Sequence, residues 1–485
     1  MNFKPVFHVI AWLLGVVGIL MAFCGLVSFL HGEPAVAWKA LVHSGAGTIA
    51  VAVALWLATR NDQELSRRDG LGVVTFGWLF AGIAGAVPFV LSGVIASPVA
   101  AVFETISGMT TTGATVIPIL EGVPKGILLW RAATQLIGGM GVLILVVAVL
   151  PFAGAGGMQL FRAEMPGPTK DRIEPRVAST AKMLWGVYII LTVVLIFLLH
   201  LGGMDWFDAV CHSFATLATG GFSTRTASIA ACDSAYIESV LTVFMLLAAM
   251  NFALHYRVLR GELSSWWKDG ETRFFLGVFL ACSLIGAVVL HQARTASGFS
   301  WVGSFREVAF TCASLMTTTG FTTGDYDQWP VLLKAMLVSL MLLGGCAGST
   351  AGAIKASRIQ VVLKAIAREV RLFMQPQAVI SVRLGRKFLA DDVLLSILAF
   401  VALYLLVALA GLLALLAFTP DIQTAASAVI ACLGNVGPGF SAVGPTLNYA
   451  SIPDAGKAIL TLLMLVGRLE LYTVLAIFMP AFWRK

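Results

Sequence analysis

Four short polar stretches in this 485-residue chain follow the same pattern. They read Met109-Thr110-Thr111-Thr112-Gly113, Leu217-Ala218-Thr219-Gly220-Gly221, Met316-Thr317-Thr318-Thr319-Gly320 and Leu433-Gly434-Asn435-Val436-Gly437. Their final glycines are 108, 99 and 117 residues apart. Glycine permits backbone angles that turn successive carbonyls toward one axis, and the small Thr side chains add oxygens without blocking it. Rings of carbonyls that replace a cation's hydration shell are the known basis of potassium selectivity. A single tail of this kind reads as a helix C-terminus closed by a glycine. Four copies at a near-constant period form an internal repeat, and the repeat points to one shared axis.

Each tail follows a segment too short to cross a membrane: Ser97–Met109, Asp205–Leu217, Gly303–Met316 and Asp421–Leu433. A helix of about 13 residues is roughly 20 Å long, against about 30 Å of hydrocarbon. The C-terminal dipole end of such a helix, aimed at the tail, favours a cation there. Apolar runs of spanning length surround these segments, near 9–30, 40–59, 71–95, 127–151, 183–201, 238–258, 274–291, 331–354, 393–418 and 457–480. Ten crossings are therefore expected. Irregular backbone at membrane depth is tolerated only inside protein or along a water-filled path. The expected fold is an all-α integral membrane protein, with four pseudo-symmetric helix–pore-loop–helix repeats around one pore plus two extra N-terminal transmembrane helices. The divisions are 1–66 for those two helices, then 67–165, 166–268, 269–387 and 388–485 for pore repeats one to four. The third repeat includes a broken intramembrane helix and a basic cytoplasmic segment.

Composition agrees with a membrane as the solvent. Hydrophobic residues make up 59% of the chain and charged residues 12%, where a soluble domain has about 25% charged. This excludes a disordered chain, a secreted disulfide scaffold and a nucleic-acid binder. The seven cysteines form no CxxC or Cys/His cluster and sit mostly in apolar runs, as small hydrophobes. The first run, from Val9 to Leu30, exceeds a cleaved signal core and is expected to remain as a membrane helix. Taking the termini and alternate connections as one side gives 23 Lys and Arg against 12 Asp and Glu; the opposite loops hold 8 against 12. The positive-inside rule places both termini in the cytoplasm. The acidic outer face would concentrate cations at an entrance.

Two features lie outside the tails. The eighth run is interrupted by Gly344-Gly345-Cys346-Ala347-Gly348-Ser349-Thr350-Ala351-Gly352. Glycines cost about 1 kcal/mol each against Ala in a helix, so an unwound segment is expected, with small-residue helix packing as the plainer alternative. A phosphate loop is excluded, because Gly352 is followed by Ala353-Ile354. Arg468 and Glu470 are the mid-span charges found, and Glu470, two positions on, is a poor intrahelical partner for Arg468. An intramembrane Arg faces a cavity or a partner. It could bind loop carbonyls or act as a cationic barrier. The run Lys355 to Lys387 carries eight positive residues and reads as a lipid-facing surface or a docking site for a regulator.

The tails, with Thr219-Gly220-Gly221-Phe222-Ser223-Thr224-Arg225, Thr319-Gly320-Phe321-Thr322 and Gly434-Asn435-Val436-Gly437, resemble the Trk/Ktr/HKT superfamily of potassium transporters. The bacterial TrkH type fits best, over essentially the whole chain. The resemblance implies a K+ filter formed by the main chain of Thr111, Thr112 and Gly113, Thr219, Gly220 and Gly221, Thr318, Thr319 and Gly320, and Asn435, Val436 and Gly437. Gly113 stands where a serine accompanies sodium preference in related plant transporters, so K+ is the expected ion. Either Gly220 or Gly221 could be the second filter glycine, and Asn435-Val436 makes the fourth quarter different. The resemblance further assigns a gate to Gly344, Gly345, Gly348, Ser349, Thr350 and Gly352, and an electrostatic barrier to Arg468. It implies a bacterial inner membrane, contact with membrane lipid, a homodimer and a cytosolic TrkA-like nucleotide-binding subunit. K+ is the transported ion, with no organic cofactor, no nucleic acid and no enzyme activity expected. A Na+- or H+-coupled symporter of the same fold is the nearest alternative. A lipid-modifying membrane enzyme is the remote one, since it would need converging His, Asp or Glu at membrane depth.

Overall fold

The computed structural model describes residues 2–60, 66–149, 174–294, 300–384 and 387–483. Most of the expected cytoplasmic connection 152–182, and with it the division at 165/166, lies outside the described residues. Helices dominate, and the described strands are a two-residue antiparallel pair, Arg383–Leu384 with Lys387–Phe388.

The first two helices, Phe3–Leu30 and Ala35–Ala58, cross at a pair of glycines. A Cβ built on Gly18 would lie 2.8 Å from the Gly45 carbonyl oxygen, and one on Gly45 2.7 Å from that of Gly18. Only hydrogen fits between these backbones. Four units of one design follow. Each has a first long helix (Arg67–Leu91, Glu174–Leu201, Gly270–Ala293 or Asp391–Leu415), a short helix and tail, and a second helix that leaves the tail. Buried apolar side chains form two large clusters. One gathers chiefly the N-terminal pair with repeats one and four, and the other repeats two and three. Outward faces of the long helices carry exposed Phe197, Leu284, Leu409 and Leu413, as expected of surfaces that meet lipid. This is a multi-pass membrane protein.

The ten expected runs are all helical in part, but they do not all cross unbroken. Among the described residues six helices are long and apolar enough to span, and two bent pairs raise the number to eight. The run near 238–258 breaks into Ala235–Ala249 and Phe252–Leu259 with a bend of 106°. Asn251 causes this locally: its side chain accepts from Ala253 N at 2.9 Å and starts a new helix. The run near 457–480 bends by 117° between Asp454–Arg468 and Tyr472–Phe478, where Glu470 takes a left-handed φ of 54°. In the run 331–354, helix Val331–Leu342 is only 12 residues long before the glycine-rich stretch begins. Helix Lys125–Val149 is 25 residues long. The third short helix starts at Trp301, not Gly303, because Ser300 caps it, and it reaches 16 residues.

The glycine crossing yields a stability prediction. Gly45→Val should lower the thermal midpoint of the detergent-solubilised protein, since overpacking costs about 1–3 kcal/mol. Fluorescence-detected size exclusion after heating checks it, and an unchanged midpoint would contradict the packing described.

Candidate functional site

The four short helices, Pro98–Met109, Trp206–Leu217, Trp301–Met316 and Ile422–Leu433, begin in the same way. Ser97, Asp205, Ser300 and Asp421 each accept a hydrogen bond from the backbone N–H three residues on, at 3.3, 3.1, 3.0 and 2.7 Å. These side chains satisfy amides that a helix start leaves open. The helices also end in the same way. Thr112 N donates to Ser107 O at 2.8 Å, Gly220 N to Ala215 O at 2.7 Å, Thr319 N to Ser314 O at 2.8 Å and Val436 N to Ala431 O at 2.8 Å. This is the six-to-one bond of a Schellman cap. The cap suggested by a single tail is therefore present, but its left-handed residue is not the glycine. Thr111, Thr219, Thr318 and Asn435 hold φ of 52°, 54°, 58° and 54°. Left-handed backbone is uncommon for Asn and a genuine outlier for β-branched Thr. All four tails carry it at the same position.

Two residues later Gly113, Gly221, Gly320 and Gly437 again have positive φ, between 73° and 100°. The equivalence assigns the second tail: Gly221 matches the other three glycines, and Gly220 matches Thr112, Thr319 and Val436. Around the centre these glycines close a circuit. A Cβ on Gly113 would strike the carbonyl oxygen of Gly220. One on Gly221 would strike that of Thr319, one on Gly320 that of Val436, and one on Gly437 that of Thr112. Repeat one thus touches two, two touches three, three touches four, and four returns to one. The sequence-predicted tail residues come together in a single ring, with no room for a side chain at any of the four joints. Thr111 Oγ1 and Asn435 Oδ1 are buried there without a protein partner.

The quarters are braced from behind by different groups. The hydroxyls of Thr110 and Thr112 pair at 2.7 Å, as do those of Thr317 and Thr319. Asn435 Nδ2 donates to Thr112 Oγ1 and to Met464 O, both at 3.0 Å. Behind tails one and two lies a buried ion pair. Glu104 Oε1 accepts from Arg131 Nε at 2.8 Å, and both side chains are at most 2% exposed. Glu104 also accepts from Thr115 Oγ1 at 2.9 Å and Val116 N at 2.8 Å, while Arg131 Nη1 donates to Ser223 O at 3.0 Å. The segments that leave two neighbouring tails are joined through this pair.

On one side of the ring a cavity of about 80 Å³ opens, lined by Gly113, Gly221, Gly320 and Gly437 and by Ser223, Thr322 and Tyr449 among others. Near its rim Thr226 donates from hydroxyl and amide to Glu121, and these bonds hold the Glu121 carboxyl below its ordinary range. Glu121 keeps its negative charge there.

On the other side lies the glycine-rich stretch. Its neck closes through Gly344 N to Ile354 O at 2.9 Å and Ile354 N to Leu342 O at 3.3 Å. A single carboxylate oxygen, Glu271 Oε1, accepts from Ala347 N at 2.9 Å and Ser357 N at 2.8 Å. The tip reaches the ring. Gly352 N donates to Thr318 Oγ1 at 2.7 Å, and Thr350 Oγ1 lies 3.0 Å from Leu217 O and 3.1 Å from Ala248 O. A Cβ on Gly352 would strike the Gly434 carbonyl, and one on Gly345 would press on Ala249 O at 2.6 Å. Gly348 packs against Asn251 with φ of 74°, and Ser349 Oγ donates to Cys346 O at 2.6 Å. Arg468 is the last residue of its helix, not mid-helix, and 4% exposed. Its Nη1 donates to Thr350 O at 2.7 Å, and its Nε and Nη2 have no hydrogen-bond partner. Glu470 turns away to pair with Arg358 at 2.5 Å.

Sequence reasoning overlooked Glu104, Arg131, Gln135 and Glu271. Arg131 was findable, because it is a charge inside the expected span 127–151 and so a third member beside Arg468 and Glu470. Gln135 follows it by four residues, on the same helix face. Glu271 carries no local signal, since its partners are 76 and 86 residues away.

Comparison with known proteins agrees over the full length. Residues 37–485 match the TrkH family, described as cation transport protein. The chain is 39% identical to the Trk system potassium uptake protein TrkH of Escherichia coli K12, with all of both chains covered. It is 38% identical, again with full coverage of both, to the protein of that name from Halomonas elongata. The crystal structure of the potassium transporter TrkH from Vibrio parahaemolyticus superposes with a TM-score of 0.91 at 36% identity, with both chains covered completely.

The buried pair gives a prediction that needs no transport assay. Glu104→Ala leaves Arg131 charged and unpaired in the interior, a loss of about 3–5 kcal/mol. The yield of monodisperse protein on size exclusion should collapse, and Glu104→Ala with Arg131→Met should recover part of it. A well-folded single variant would argue against the pair as a brace.

Proposed function

The chain belongs to the TrkH family of cation transport proteins, and on that premise we propose that it takes up K+ across a membrane through the axis of the four-tail ring. The observation that carries this reading is the closed circuit in which each tail's glycine abuts the next tail's carbonyl. An ion in the 80 Å³ vestibule sheds water as it meets main-chain oxygens of Thr111–Gly113, Thr219–Gly221, Thr318–Gly320 and Asn435–Gly437. The C-terminal ends of four short helices face the same point and stabilise the charge. Gly113, with no serine in the first quarter, favours K+ over Na+.

The stretch from Gly344 to Gly352 is the gate, a reading that its contacts to Thr318 and Leu217 support. Its opening breaks the bonds from Gly352 N and Thr350 Oγ1 and the one that Thr350 O accepts from Arg468. Arg468 is then both a latch on the gate and a fixed positive charge beside the path. Both termini lie in the cytoplasm of a bacterial cell, with the protein in the inner membrane. Helix Ala356–Met374, which carries Lys364, Arg368 and Arg371, faces the same compartment. There a homodimer partner and a TrkA-like nucleotide-binding subunit can reach the segment that leaves the gate.

Rb+ uptake into proteoliposomes tests the reading. Uptake should be competed by K+ and not by Na+ or Li+, and Gly113→Ser, whose side chain must push back the Gly220 carbonyl, should admit Na+ in the protein that folds. A reversal potential that follows the K+ gradient alone separates this reading from Na+- or H+-coupled symport. Equal competition by all three ions would overturn it. For the gate, deletion of Cys346–Thr350 and the variant Arg468→Ala should each raise Rb+ flux per folded molecule several-fold. Unchanged flux in both would remove the gate assignment.

A further inference from the structure

We propose that Gln135 is a selectivity-positioning residue that supplies, from a neighbouring helix, the support that the second tail lacks. The proposal rests on the reading of the ring as an ion filter. Tails one and three are closed by hydroxyl pairs, Thr110 with Thr112 and Thr317 with Thr319. The second tail has Ala218 and Gly220 at those positions, so no hydroxyl pair can form. Gln135, fully buried on helix Lys125–Val149, occupies the vacated place. Its Nε2 donates to Gly220 O at 2.6 Å, and its Oε1 accepts from Phe222 N at 3.2 Å. These two bonds bracket Gly221. A Cβ built on Gly220 would run into the Gln135 amide, 2.7 Å from Nε2 and 2.8 Å from Oε1.

Gly220 is not among the residues of positive φ. Its backbone is one that any residue can adopt, so conformational freedom does not explain the glycine. Room for Gln135 does. Gly220 O is also the oxygen that a side chain on Gly113 would strike, which places it on the ring. A carbonyl held by an amide N–H keeps one lone pair in a fixed direction. One turn earlier on the same face, Arg131 grips the same tail through Ser223 O, and its guanidinium lies over the Phe222 ring at 4.1 Å. Residues 220–223 are thereby clamped by two side chains of repeat one.

The test is the K+/Na+ permeability ratio of reconstituted protein. Gln135→Met keeps the side-chain bulk and loses both bonds, and the ratio should fall about tenfold, the equivalent of one to two net hydrogen bonds. Gln135→Ala should do the same. Gln135→Ala with Ala218→Thr and Gly220→Thr rebuilds the hydroxyl pair of tails one and three and should return the ratio to within about threefold of the parent. An unchanged ratio in folded Gln135→Met overturns the proposal, as does a triple variant no more selective than Gln135→Ala. A purely structural role would alter yield without this rescue of selectivity. Gly113→Ser, measured in parallel, separates the two failures. If it shifts the ratio while Gln135→Met does not, only the role of Gln135 falls. If neither shifts it, the filter itself is in doubt.

Discussion

The structure depends on peptide carbonyls at the ends of four short helices that abut the glycine of a neighbouring tail instead of meeting a helix amide. Such oxygens are costly at membrane depth unless a charge or water answers them. The ring makes them available by holding Thr111, Thr219, Thr318 and Asn435 in left-handed backbone, at about 1–2 kcal/mol for each L-residue. The six-to-one bonds, the capped short helices and the close glycine joints hold that geometry in place. Remove the joints, and nothing compels four separate helix ends to share one centre.

Below the ring a second constraint operates. The second helices of repeats two, three and four all break, at Ala249, Leu342 and Arg468. Each break frees backbone groups, and the loop from Gly344 to Gly352 satisfies several of them. Cys346 N donates to Ala249 O at 2.8 Å, and Phe252 N donates to Gly348 O at 3.1 Å. A guanidinium at the third break meets the same loop at Thr350. The second helix of repeat one differs, because Lys125–Val149 is a continuous helix. It is also the helix whose Arg131 and Gln135 reach across to the neighbouring tail. Three quarters supply irregular backbone and one supplies a rigid brace.

Much of this plan is legible in the amino-acid order. The spacing of the four glycines and the sub-spanning length of the preceding helices reveal the repeat, and Gly344 to Gly352 reveals a discontinuity. Other parts are hidden for definable reasons. The bends at Met250 and Leu469–Leu471 fall within runs whose averaged hydropathy stays high despite Asn251, Arg468 and Glu470, so hydropathy passes over them. The left-handed residue of each cap is Thr or Asn where local rules expect glycine. Gly220 and Gly221 are indistinguishable until the φ angles separate them. Glu470 has no partner nearby in the chain because its partner, Arg358, is 112 residues away. Long-range pairings of this kind leave no periodic trace.

The circuit of abutting quarters belongs to one polypeptide. In a pore assembled from four identical chains any change in the lining gene is stamped on every side at once. Here a change touches a single side, and the other three keep their form. That freedom is already visible in Val436 and Gly220, which stand where the remaining two sides carry threonine. Evolution can therefore retune such an aperture one wall at a time.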